Sequence, residues 1–96
     1  MARVVEGVDG FEEVVAGELL ICRSTDPAWT VLFGVIAGVV TEFGGRLSHA
    51  AIVARERRIP AVLGVPLLLD KVRTGDHLTI NGSAGTVQVR TVWTTE

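Results

Sequence analysis

The stretch Ser-His-Ala-Ala-Ile-Val-Ala-Arg-Glu-Arg-Arg at 48 to 58 constrains the fold more than any other. It reads as a helix. Ser48 is a good N-cap, the alanines favour the helical state, and Arg55, Arg57 and Arg58 sit where cations complement the helix dipole. Ile59-Pro60 ends it, because a residue before proline avoids the helical region. The first two turns are apolar almost all round, and a helix without a polar face must be covered. Its first half is therefore predicted to be buried. On either side lie a buried strand at Gly38 to Thr41, a loop from Glu42 to Leu47, and a short strand at Ala61 to Leu63.

Glycine punctuates the remainder at short intervals, so the other elements must be short too. Arg3 to Glu6 and Glu18 to Arg23 read as strands, and Phe11 to Val15 as either a helical turn or a strand. Asp26 is placed to cap a helix with Pro27 in its first position, where the missing N–H costs nothing, and Ala28 to Phe33 would follow as a short helix. Pro66 to Val72 suggests one more. The alternation in His77 to Asn81 and Thr86 to Arg90, around Gly-Ser-Ala-Gly at 82 to 85, is a hairpin signal. With no internal repeat or linker, residues 1–96 are expected to form one mixed α/β domain.

Ninety-six residues, 48% of them hydrophobic, suffice for one modest core but not for a self-sufficient large enzyme. Nine basic and eleven acidic residues give a charge of -2, spread along the chain, which argues against a nucleic-acid or membrane-surface partner. The most apolar run, Val31 to Val40, has half of the roughly 20 residues a membrane-spanning helix needs. Glu6 and Asp9 stand where a signal peptide would be apolar. The single cysteine, Cys22, lies in an apolar run; it suits core packing and a reducing cytoplasm.

Chemistry concentrates in Gly44-Gly45-Arg46-Leu47-Ser48-His49. Helix N-termini carry unpaired N–H groups and partial positive charge, and adjacent glycines let backbone approach an oxyanion. His49 stands at the rim of a packed helix, where a phosphoryl-accepting nucleophile would be held. A neutral imidazole is nucleophilic at Nε2 only while Nδ1 keeps its proton, which calls for an acceptor such as a nearby hydroxyl. The same residues also fit a plainer reading, in which His49 only completes the helix start. The glycines match neither a nucleotide-binding P-loop nor a dinucleotide fingerprint. With His77 distant, no second cysteine and no paired carboxylates nearby, no metal site is expected. His77 reads as a strand surface residue.

The string Thr41-Glu42-Phe43-Gly44-Gly45-Arg46-Leu47-Ser48-His49-Ala50-Ala51-Ile52-Val53-Ala54-Arg55-Glu56, then Ile59-Pro60-Ala61-Val62-Leu63-Gly64, resembles the phosphohistidine signature of phosphoenolpyruvate-utilising enzymes. That family includes phosphoenolpyruvate synthase, pyruvate phosphate dikinase, enzyme I of the sugar phosphotransferase system and rifampicin phosphotransferases. The resemblance extends through Thr25 to Trp29 upstream and through Gly75-Asp76 and Asn81-Gly82 to Gly85 downstream. It implies a single swivelling β/β/α phosphohistidine domain. It makes His49 the phosphorylated residue, at Nε2, with Thr25 holding the other ring nitrogen and Gly44, Gly45, Arg46 and Ser48 lining the phosphate's side. Three positions depart from the pattern. Val31 replaces a frequent proline, Arg58 replaces a glycine, and a glycine-containing run before the first strand is missing. Arg58 predicts a differently closed helix end, and the missing run predicts an excised or stand-alone domain.

The function implied by the resemblance is that of a phosphocarrier, inactive alone and binding no cofactor itself. Magnesium, ATP or phosphoenolpyruvate would be bound by partners: an ATP-grasp domain and a phosphoenolpyruvate- or acceptor-binding domain. Ile21-Cys22-Arg23 and Thr25 to Trp29 look closer to the phosphoenolpyruvate synthase and rifampicin phosphotransferase branch than to enzyme I. A non-enzymatic interaction module built on the same anion site is the competing expectation.

Overall fold

The computed structural model describes residues 1–45, 47–81 and 86–90; Arg46 and the turn expected at 82–85 lie outside them. Strands β1 (Ala2–Val4), β2 (Leu19–Cys22), β3 (Gly38–Thr41) and β4 (Ala61–Val62) form one sheet in that order, every neighbouring pair parallel. Two 3-10 helices, Val8–Glu13 and Pro27–Gly34, make the first two crossovers, and helix α1 (His49–Arg57) makes the third. Helix α2 (Leu68–Lys71) and an antiparallel hairpin, β5 (His77–Asn81) with β6 (Thr86–Arg90), complete the chain.

The central strands Leu-Leu-Ile-Cys and Gly-Val-Val-Thr are apolar but for Thr41, whose hydroxyl donates to the Phe43 carbonyl at 2.8 Å, because both sheet faces are covered. Successive side chains point to opposite faces and so divide between two cores. Leu20, Cys22 and Val39 join Trp29, Leu32 and Phe33 of the second 3-10 helix and Ala50, Val53 and Ala54 of α1. On the other face Ile21, Val40 and Val62 pack with Leu68 and Val72, flanked by Leu78 and Ile80 of the hairpin. The result is the expected β/β/α arrangement of hairpin, parallel sheet and helical layer. Gly38 lets the layers close up, since a Cβ there would lie 2.8 Å from Ile80 Cδ1 and 3.2 Å from the Pro60 carbonyl oxygen.

The outer edge of β1 is covered by the turn before β5. Ala2 donates to the Asp76 carbonyl, Gly75 donates to the Ala2 carbonyl, and the Val4 amide donates to the Thr74 hydroxyl. Such cover removes an unpaired edge from solvent. Behind β1, the Arg3 guanidinium donates to both oxygens of Glu18, at 3.0 and 3.1 Å, and the Val15 amide donates to Glu18 Oε1 at 2.8 Å. Among the described residues no helix is long and apolar enough to cross a membrane.

Most elements fall where the sequence places them, with corrections that have physical causes. The first strand is Ala2–Val4 rather than Arg3 to Glu6, ending where the chain turns into the first 3-10 helix. That helix resolves the two readings of Phe11 to Val15 in favour of a helical turn, and Val14 is already extended. Helix α2 is shorter than Pro66 to Val72, with Leu67 in the left-handed region just before it. Ala50, Ala51, Val53 and Ala54 are buried as expected, but Ile52 is 43% exposed because solvent reaches one side of α1. Arg58 does not alter the closure of α1. It adopts the left-handed conformation itself, φ 58° and ψ 39°. The Ile59 amide then bonds the Ala54 carbonyl at 3.0 Å and the Arg58 amide bonds that of Arg55 at 3.2 Å, the pair of bonds that a glycine normally supports.

Two predictions follow from these contacts. An L-residue in the left-handed region is strained, so Arg58→Gly should raise stability by about 1 kcal/mol in urea unfolding. The Arg3 hydrogen bonds hold the Glu18 carboxyl below the usual carboxylate range, outweighing the opposing effect of its burial. A group depressed on folding contributes stability above its unfolded pKa and loses it as pH falls through the folded value. The advantage of the native chain over Glu18→Gln should thus be full above pH 4.5 and shrink below it, as read from urea midpoints across an acid series.

Candidate functional site

Parallel pairing puts the carboxyl ends of β2 and β3 side by side, the usual place for a site in such sheets. Pairing outlasts the strands: Glu42 donates to the Cys22 carbonyl at 3.0 Å and Phe43 to that of Arg23 at 2.8 Å. The two chains then part, one toward Thr25 and the second 3-10 helix, the other through Gly44 and Gly45 toward α1. Thr25 and His49, 24 residues apart, meet again across this fork.

Thr25 Oγ1 lies 2.8 Å from His49 Nδ1. Thr30 Oγ1 lies 3.3 Å from Nε2. The buried ring of Phe33 meets the imidazole edge to face, with centroids 6.1 Å apart and an interplanar angle of 86°. Both ring nitrogens and one flank of His49 are thereby engaged, while the residue stays half-buried. The second 3-10 helix supplies two of these contacts. Asp26 caps it by accepting from the Ala28 amide at 2.9 Å, and Pro27 occupies its first turn as the sequence predicts. Three residues per turn stack positions i and i+3, so Thr30 and Phe33 face His49 together while Trp29 and Leu32 anchor the helix in the core. Trp29 is pinned further by Phe11, edge to face at 5.0 Å.

Ser48 caps α1 as predicted: its hydroxyl donates to the Gly45 carbonyl at 2.7 Å and accepts from the Ala51 amide at 3.4 Å. Gly44 has φ +116°, and a Cβ there would come within 3.1 Å of Ser48 Oγ. Gly45 is exposed, with open space where a Cβ would be. Arg46 lies outside the described residues. Thr25, Gly44, Gly45, Ser48 and His49 are thus gathered at one end of the sheet. Thr30 is the contact that sequence reasoning missed, because nothing local in the sequence relates it to His49, 19 residues on.

Around this end the surface carries apolar side chains: Leu47 is 86% exposed, Val31 73% and Phe43 60%. Cys22, close by in sequence, is fully buried in the core as expected, and burial pushes its thiol up to about 12, which leaves it unreactive. His77 is exposed on β5. Among the described residues no group of three or more His, Cys, Asp or Glu side chains converges on a point that could hold a metal ion. An open groove of about 690 Å³ between α1 and β5, lined by Arg55, Arg58 and Thr79 among others, does not include His49.

The α/β fold that carries this site has a solved counterpart. A solution NMR structure of Enzyme I matches with a TM-score of 0.71 and 33% identity, covering 82% of this chain and 33% of that one. Residues 14–85 match the mobile domain of PEP-utilising enzymes, and the chain belongs to that family. It is 41% identical over 87 residues to the uncharacterized phosphotransferase YvkC of Bacillus subtilis, covering 91% of this chain. It is 42% identical over 84 residues to phosphoenolpyruvate synthase of Aquifex aeolicus, and 36% identical over 88 to rifampicin phosphotransferase of Bacillus subtilis, covering 88% and 92% of this chain. In each case it spans 10% of the relative's length.

The two glycines should respond differently to substitution. Gly44→Ala forces a side chain into a left-handed backbone and should cost about 1–3 kcal/mol, whereas Gly45→Ala, with room for its methyl, should stay within about 0.5 kcal/mol of the native chain. Urea unfolding of the two variants compares them directly.

Proposed function

We propose that this chain is a phosphocarrier in which His49 accepts a phosphoryl group at Nε2 from one active site and surrenders it at another. The carrying observation is the 2.8 Å contact between Thr25 Oγ1 and His49 Nδ1. With the Thr25 hydroxyl oxygen accepting a hydrogen bond from Nδ1–H, the imidazole is held in the tautomer whose lone pair is on Nε2. That lone pair attacks phosphorus, a P–N bond forms, and the P–O bond to the leaving group breaks with its electron pair going to that oxygen. Delivery is the reverse displacement: an acceptor oxygen attacks phosphorus and the P–N pair returns to Nε2. The Nδ1 proton stays in place through both steps, so the ring needs no rearrangement between loading and discharge.

In this reading Gly44, Gly45, Arg46 and Ser48 line the phosphate's side of the ring. The start of α1 contributes its positive end, and exposed Gly45 leaves the approach clear of side chains. The Ser48 hydroxyl, engaged with Gly45 and Ala51, acts by holding the loop in shape. The domain itself binds no cofactor. An ATP-grasp domain and a phosphoenolpyruvate- or acceptor-binding domain, with magnesium, supply and receive the group, and movement of the small domain connects them. Relatives about ten times longer support this division of labour. The final acceptor is chosen by those partners, and a chain with one buried, unpaired thiol suits their cytoplasmic setting.

Intact-mass analysis after treatment with a small phosphoramidate donor tests the reading. One acid-labile phosphate is expected on the native chain and none on a folded His49→Ala variant. Thr25→Val should load about threefold to tenfold more slowly, the value of one hydrogen bond. A folded native chain that takes up no phosphate would favour the non-enzymatic interaction module.

A further inference from the structure

We infer that Thr30 is a second positioning residue, whose hydroxyl caps the Nε2 lone pair of unloaded His49 and transfers to a phosphoryl oxygen once the P–N bond has formed. The inference rests on the phosphocarrier reading and deepens it. Three observations carry it. First, Thr30 Oγ1 is 3.3 Å from Nε2 while Thr25 Oγ1 is 2.8 Å from Nδ1. If Nδ1 donates to Thr25, Nε2 is an acceptor, and the hydroxyl of Thr30 is the donor facing it. The longer contact is the weaker one, as suits a bond that has to be given up when phosphorus arrives.

Second, the position of Thr30 is dictated by packing. Its neighbours Trp29 and Leu32 are buried, the helix start is fixed by Asp26 and Pro27, and the 3-10 repeat stacks Thr30 beside Phe33 against the same imidazole. The hydroxyl can turn about its own χ1 while its Cα stays in place. Third, phosphorylation consumes the Nε2 lone pair and leaves Thr30 a donor with no acceptor on the ring, next to phosphoryl oxygens with several lone pairs. Moving the hydrogen bond from nitrogen to oxygen keeps the half-buried hydroxyl satisfied in both states. It also favours the Nδ1–H tautomer before loading, since a donor at Nε2 selects against a proton there.

The test compares the native chain with Thr30→Val, which keeps the β-branched shape and removes the hydroxyl, and with Thr30→Ser, which restores it. Nitrogen-15 NMR of the imidazole reads the tautomer without any phosphoryl donor. In Thr30→Val the Nε2 resonance should move toward its protonated position, and in Thr30→Ser it should return to the native one. Loading by the phosphoramidate donor and spontaneous loss of the phosphate should each change by about threefold to tenfold in Thr30→Val and recover in Thr30→Ser. If the valine disturbs the fold in a thermal melt, Thr30→Ala serves the same comparison. An unchanged tautomer together with unchanged loading and loss in the valine or alanine variant would overturn the role of Thr30 while leaving the carrier intact. Failure of the native chain to load, with the tautomer shift still present, would count against the carrier and not against the hydrogen bond.

Discussion

Parallel pairing of β2 with β3 is the constraint on which the site depends. Four register pairs, Leu19 with Gly38 through Cys22 with Thr41, align the strands so that both end at the same level. Two further backbone bonds carry the alignment past the strands, to Arg23 and Phe43. Only then do the segments bearing Thr25 and His49 diverge. A slip of one residue would send the apolar side chains of a strand to the wrong face, and both faces are already filled by different partners. The register is therefore held by two cores at once, and the 2.8 Å contact between threonine and histidine inherits its accuracy from them.

Within the site, rigidity is unevenly distributed. Ser48 closes back on Gly45, its amide and its hydroxyl both donating to the Gly45 carbonyl while the hydroxyl accepts from the Ala51 amide. The second 3-10 helix is anchored through Trp29, Leu32 and Phe33 but presents a hydroxyl to the outside. His49 thus meets a fixed backbone on its loop side and adaptable hydroxyls on its ring nitrogens. Such a division suits the proposed carriage of a phosphoryl group, because charge can be accommodated by turning O–H bonds without moving the main chain.

Much of this was legible in the sequence, for reasons that can be named. Strand β3, the Ser48 cap, the start of α1 and the Asp26-Pro27 helix entry were readable because each depends on local chemistry. The pairing of Thr25 with His49 came from a family resemblance and not from spacing, since nothing local relates residues 24 positions apart. Strand order was not readable: apart from Thr41, Leu-Leu-Ile-Cys and Gly-Val-Val-Thr carry no polar residue, so their alternation between two cores leaves no trace. Thr30 was not readable either: 19 residues separate it from His49, and no local spacing relates the two. Arg58 shows a different limit. The left-handed backbone persists where glycine is replaced, because the carbonyls of Ala54 and Arg55 still need donors.

The two cores differ in which part of the chain they draw upon. On the helical face every contributor among the described residues lies between Val5 and Leu63, and so do Thr25, Thr30, Phe33 and His49. The opposite face needs Val65, Leu68, Leu69, Val72, Leu78 and Ile80 to cover Ala2, Ile21, Val40 and Val62. The segment from Val65 to Ile80 is thus a cover for the apolar reverse of the sheet, and it reaches the loop before α1 through the bond from the Leu69 amide to Glu42.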